Sequence, residues 1–90
     1  MRFETKSVKI AEQGLTNLLL GKKICDSQRL NLLRCLAAAA KREGDLSRWH
    51  GLLNCIKRYE YITDFEPLDK ILIKLGSKFD FMEETDNEKI

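Results

Sequence analysis

The chain has 90 residues, of which 43% are hydrophobic and 33% charged, with a formal net charge of +2. That describes one domain with a single small core and a well-solvated exterior. No run of about 18 apolar residues occurs, so no transmembrane helix is expected, and the first six residues, Met-Arg-Phe-Glu-Thr-Lys, lack the apolar centre of a secretion signal.

One proline and five glycines argue against disorder, and three cysteines leave an odd count. Cys35 and Cys55 lie in apolar runs. Buried free thiols in a reducing compartment are therefore expected ahead of a disulfide framework, with the cytoplasm as the location. The small net charge hides an asymmetry. Residues 1–58 hold 12 Lys/Arg and 5 Asp/Glu, a net +7, while residues 59–90 hold 4 and 9, a net −5. Such a chain can present a basic and an acidic face and attract a second copy head to tail, or the halves can neutralise each other within one fold.

In chain order, residues 1–9 alternate weakly and fit either an extended segment or a fraying helix start. From Lys9 to Lys22, Ile10, Leu15, Leu18 and Leu19 approach helical spacing, with Gly14 awkward inside and Gly21 a stop. Asp26-Ser27 offers short side-chain oxygens as an N-cap. The helix predicted after it, Gln28 to Arg42, has an apolar stripe of Leu30, Leu33, Ala37 and Ala40, widened by Leu32 and Leu36. Lys41 and Arg42 suit its C-terminal dipole, and Gly44 suits a left-handed cap. Trp49, Leu52, Leu53 and Ile56 are spaced i, i+3, i+4, i+7 and predict a helix to Arg58, which Tyr59 to Ile62 continue or unwind. Thr63 or Asp64 caps the next helix, with Pro67 in its first turn, a stripe of Phe65, Leu68, Ile71, Leu72 and Leu75, and Gly76 as its end. Ser77 caps a last short helix from Lys78 to about Glu84. The expected organisation is one helical domain over residues 1–82 and a charged tail over 83–90.

No catalytic constellation stands out. His50 is the single histidine, there is no Cys-x-x-Cys pair, and Gly21-Lys22-Lys23 lacks the flanking glycine of a phosphate loop. The chain reads as non-enzymatic, without metal or cofactor and without a membrane-binding helix. The basic first two thirds keep nucleic-acid binding as the main rival, although an acidic last third would repel phosphate.

Residues 15–81 resemble the death effector domains, a family of the six-helix death fold. The resemblance rests on the run Asp26-Ser27-Gln28-Arg29-Leu30 to Leu36, on Leu52 to Ile62 followed by Leu68 to Leu75, and on Lys78-Phe79-Asp80-Phe81 where the family carries Arg-x-Asp-Leu. It implies a compact antiparallel bundle of five or six helices, with a very short third helix near Glu43–Arg48. It also implies a surface charge triad of Lys78, Asp80 and an acid early in the second helix. There this chain has Arg29, so Asp26 one turn earlier would stand in. The family's exposed aromatic contact falls on Cys35.

The function implied is non-catalytic homotypic recognition within an apoptotic or innate-immune signalling complex, with another death-fold domain as partner. A basic surface (Arg29, Arg34, Lys41, Arg42) would meet an acidic one (Glu66, Asp69, Asp80) on the next molecule, with an apolar contact near Cys35. Unlike faces of this kind can propagate into filaments. A small helical protein that inhibits some other protein is a further alternative.

Overall fold

Helical spacing dominates the sequence, and the computed structural model, which describes residues 2–79 (side chains from residue 6), is helical throughout. Its elements are α1 (Arg2–Leu19), α2 (Asp26–Arg42), α3 (Leu46–Lys57), a 3-10 turn (Tyr59–Tyr61) and α4 (Glu66–Gly76). The count among the described residues is thus four α-helices, where five or six were expected. The short third helix does not form: Glu43 and Gly44 make the turn that ends α2, and α3 begins at Leu46. The last expected helix falls largely outside the described residues.

Two glycines set the ends of α1 and α2. Gly21 and Gly44 have φ of 76° and 78°, the left-handed conformation that costs a side-chain-bearing residue most. Around Gly44, the Asp45 N–H donates to the Ala40 carbonyl (2.9 Å) and the Gly44 N–H to Lys41 (3.1 Å). Around Gly21, the Lys22 N–H donates to Asn17 (2.8 Å) and the Gly21 N–H to Leu18 (3.0 Å). Each pair of crossed bonds satisfies carbonyls that the helix end would leave bare.

At the start of α2 the cap lies one residue earlier than expected. Cys25 holds the N-cap position, and its N–H donates to the Gln28 side-chain oxygen at 3.2 Å. Of the free thiols expected to be buried, Cys35 is buried and Cys55 half-buried, but Cys25, at the start of this helix, is exposed. Asp45 caps α3 by accepting the Arg48 N–H at 3.1 Å. Phe65 occupies the N-cap of α4, while the Asp64 carboxylate accepts the Glu66 N–H at 3.1 Å.

The core gathers around α2, which packs against α1, α3 and α4. Leu32 and Leu33 are fully buried, as are Ala11 of α1 and Leu72 of α4. In α1 the buried stripe is Val8, Ala11, Leu15 and Leu18, not one containing Ile10 and Leu19; Leu19 is 57% exposed. Ile71, expected in the stripe of α4, is exposed as well.

Gly76 ends α4 as expected, as its last helical residue, and it is also buried. A Cβ there would lie 2.7 Å from a methyl carbon of Leu15, so its missing side chain lets α1 and α4 touch. Gly14 has a milder form of the same role, since a Cβ would lie 3.0 Å from the Gln28 Cβ on α2.

Candidate functional site

The helix stripes place the expected interface residues in three regions. The first is a polar cluster joining the first turn of α2 to the 3-10 turn and the first turn of α4. Arg29 sits on the buried stripe of α2 at 6% exposure, so its guanidinium must find partners inside the fold. It grips Asp69 with one edge of its planar guanidinium: Nε donates to Oδ1 at 2.8 Å and Nη2 to Oδ2 at 3.1 Å. Nη1 donates to the Tyr59 hydroxyl at 3.0 Å. Phe65 lies beneath, its ring centroid 4.1 Å from the Arg29 Cζ, and itself packs on Tyr59 at 5.1 Å between ring centroids. The Tyr59 hydroxyl in turn donates to Asp26 at 2.6 Å.

The protonation of this cluster follows from its neighbours. Burial works against the Arg29 charge, but the hydrogen bonds to Asp69 and Tyr59 and the Asp69 charge outweigh it, so the guanidinium is held more firmly protonated than usual. Burial, and then the hydrogen bond to Asp26, push the Tyr59 hydroxyl above its ordinary value of 10.0, with Arg29 pulling the other way.

Three expected interface residues take a different role here. Arg29 and Asp69, assigned to opposing faces of neighbouring molecules, form a bidentate pair within one molecule. Cys35, where an exposed apolar contact was expected, is buried at 9% in the core cluster. The reason is helical phase: Arg29, Leu32, Leu33, Leu36 and Ala40 share one face, and Cys35 borders it.

The second region is the solvent-facing charge. Arg34, Lys41, Arg42 and Glu66 are exposed. The Lys41 Nζ lies 5.1 Å from the centroid of the half-buried Trp49 ring, and Glu66 meets Lys70 at 3.7 Å in a surface pair of little energetic weight.

The third region is a cleft of about 200 Å³ between the C-terminal half of α2, the start of α3 and the end of α4. Its apolar lining includes Leu36, Ala40, Leu75 and Phe79, and its charged lining is Arg48, Lys74, Lys78 and Glu43. Lys78 therefore stands by the C-terminal half of α2, whereas Asp26 opens that helix and is bound to Tyr59. The structure does not bring these two members of the expected charge triad together. Asp80, the third member, lies outside the described residues.

Tyr59 and Phe65 were absent from the sequence-based site. A signal for them existed: an arginine on an apolar stripe requires an acid and further acceptors, and Asp69, beside Leu68 on the stripe of α4, is a matching acid. Among the described residues no group of three or more His, Cys, Asp or Glu side chains could hold a metal ion, and no helix is long and apolar enough to cross a membrane. No protein-family model, curated protein or solved structure matches the chain.

Proposed function

We propose that this chain is a non-catalytic protein-interaction module that recognises another domain of its own kind through unlike charged faces. The observation that carries the reading is the division of charge between inside and surface. Arg29 and Asp69 are consumed within the fold, while Arg34, Lys41 and Arg42 remain at the surface of α2 and Glu66 at the start of α4. Contacts between the two sets on successive molecules would be heterologous, and so open to propagation. The interface narrows accordingly to Arg34, Lys41 and Arg42 against Glu66, with Asp80 a further candidate acid.

The finer form of this proposal is a death-fold domain, related to the death effector family, that acts in an apoptotic or innate-immune complex in the cytoplasm. Its support is the order of the helices and the spacing from Trp49 to Leu75. The absence of a helix between α2 and α3 counts against it.

Arg34→Glu and Glu66→Arg are each expected to weaken self-association in sedimentation across a concentration series, with the helical circular-dichroism signal unchanged. Mixing the two variants is expected to restore association. Unaltered sedimentation in both variants would remove the proposal. Nucleic-acid binding is the second reading, favoured by the surface cations of α2. It predicts a gel shift that fades steeply as salt rises.

A further inference from the structure

We infer that the cleft between α2, α3 and α4 receives an acidic segment of a protein partner that carries one large apolar side chain. This deepens the reading of the chain as an interaction module and rests on it. Three observations lead there.

The first is charge. Three cations, Arg48, Lys74 and Lys78, face one carboxylate, Glu43, around the opening. Lys74 and Lys78 form no salt bridge among the described residues, and the Arg48 partner, Asp45, lies at a loose 3.4 Å.

The second is that ordinary helix electrostatics does not explain the whole set. Lys74 and Lys78 stand at the C-terminal end of α4, where the helix dipole favours cations. Arg48 stands in the first turn of α3, where the dipole disfavours one. An anionic visitor would be attracted by all three.

The third is size and lining. At about 200 Å³ the cleft is smaller than the roughly 300 Å³ at which small-molecule pockets begin. Its floor of Leu36, Ala40, Leu75 and Phe79 has room for a single anchoring side chain, the form that interface hot spots take. Phosphate backbones would use the cations and leave this floor unused, so the lining favours a peptide over nucleic acid.

The test uses the full chain and a fluorescently labelled hexapeptide, Glu-Glu-Phe-Leu-Glu-Glu, followed by anisotropy. The peptide is expected to bind, with affinity reduced about tenfold or more in the double variant Lys74→Glu/Lys78→Glu and retained in Arg34→Glu, which lies on another face. The milder Lys74→Ala/Lys78→Ala pair is expected to lose several-fold, which covers the case in which the reversed pair does not fold. A peptide with serines in place of Phe and Leu is expected to bind at least tenfold more weakly.

The inference is overturned by no binding by the wild-type chain, equal binding by the serine peptide, equal binding by both lysine variants, or tighter cleft-dependent binding of a labelled oligothymidylate. Binding that emerges only after Glu83, Glu84 and Asp86 are replaced by serine would assign the cleft to the chain's own C-terminal residues and likewise overturn it. Failure here with Arg34-dependent self-association intact removes the cleft alone. Unaltered sedimentation in both Arg34→Glu and Glu66→Arg removes the broader reading instead.

Discussion

Arg29 brings a permanent charge into a site that is 6% exposed, and Asp69, Tyr59 and Phe65 are the groups that offset the cost. The two members of the ion pair differ in exposure, the Arg29 side chain at 7% and that of Asp69 at 20%. Truncating either is therefore not equivalent. Asp69→Ala strands a buried cation and is expected to cost about 3 kcal/mol, whereas Arg29→Met leaves a carboxylate that still reaches water and is expected to cost about half as much. Urea unfolding of the singles and the double completes the cycle, and the double is expected to cost well under the sum. Additive costs would show that the pair is not coupled.

Tyr59 adds a pH dependence at the same scale. Its folded pKa is raised, so its contribution is fully present below the unfolded value near 10 and is lost as pH rises through the folded value. Ionisation would also remove the proton donated to Asp26 and set two anions 2.6 Å apart. Stability is expected to fall above about pH 10 more steeply in the wild type than in Tyr59→Phe, whose cost at neutral pH is about 1 kcal/mol. Identical alkaline profiles for the two proteins would contradict this placement of the hydroxyl.

At the scale of elements, the helices and their ends were largely readable. The i, i+3, i+4, i+7 spacing of Trp49, Leu52, Leu53 and Ile56 predicted α3, and Gly21 and Gly44 end α1 and α2 as expected. What failed was phase and function at particular positions. Ile10, Leu19 and Ile71 fit an apolar stripe by hydropathy, yet α2 covers only a sector of each neighbouring helix, and these side chains lie outside it. Gly76 does end α4, but its second role, as a contact point, depends on Leu15, 61 positions earlier, whose methyl group occupies the space of a Cβ. Gly76→Ala is expected to destabilise by about 1–3 kcal/mol through this overlap, read from a urea midpoint shift at unchanged slope. The same substitution at exposed Gly51, where nothing lies within 4 Å, is expected to be neutral or stabilising. A neutral Gly76→Ala would mean that the Leu15 side chain can swing aside to admit the methyl group.

For the whole molecule, burial decides which charges remain available to a partner. The split of +7 and −5 between the two parts of the chain suggested opposing faces, but the fold closes part of that split internally through Arg29 and Asp69. The remainder is surface charge, so the self-association proposed above is expected to weaken markedly between about 0.05 M and about 0.5 M salt as the screening length shrinks. Association that persists unchanged across that range would point to an apolar interface, for which exposed Leu19, Leu20 and Ile71 would be the first residues to examine.

The sequence by itself determined that the chain is helical, where most helices lie and which apolar residues supply most of the core, because periodicity, caps and glycine stops are local properties. The tertiary structure alone decided which charges face inward, which glycines act as contact points and whether Lys78 approaches Asp26. Those outcomes depend on pairs such as Arg29 and Asp69, 40 residues apart, whose meeting is fixed by the packing of α2 against α4.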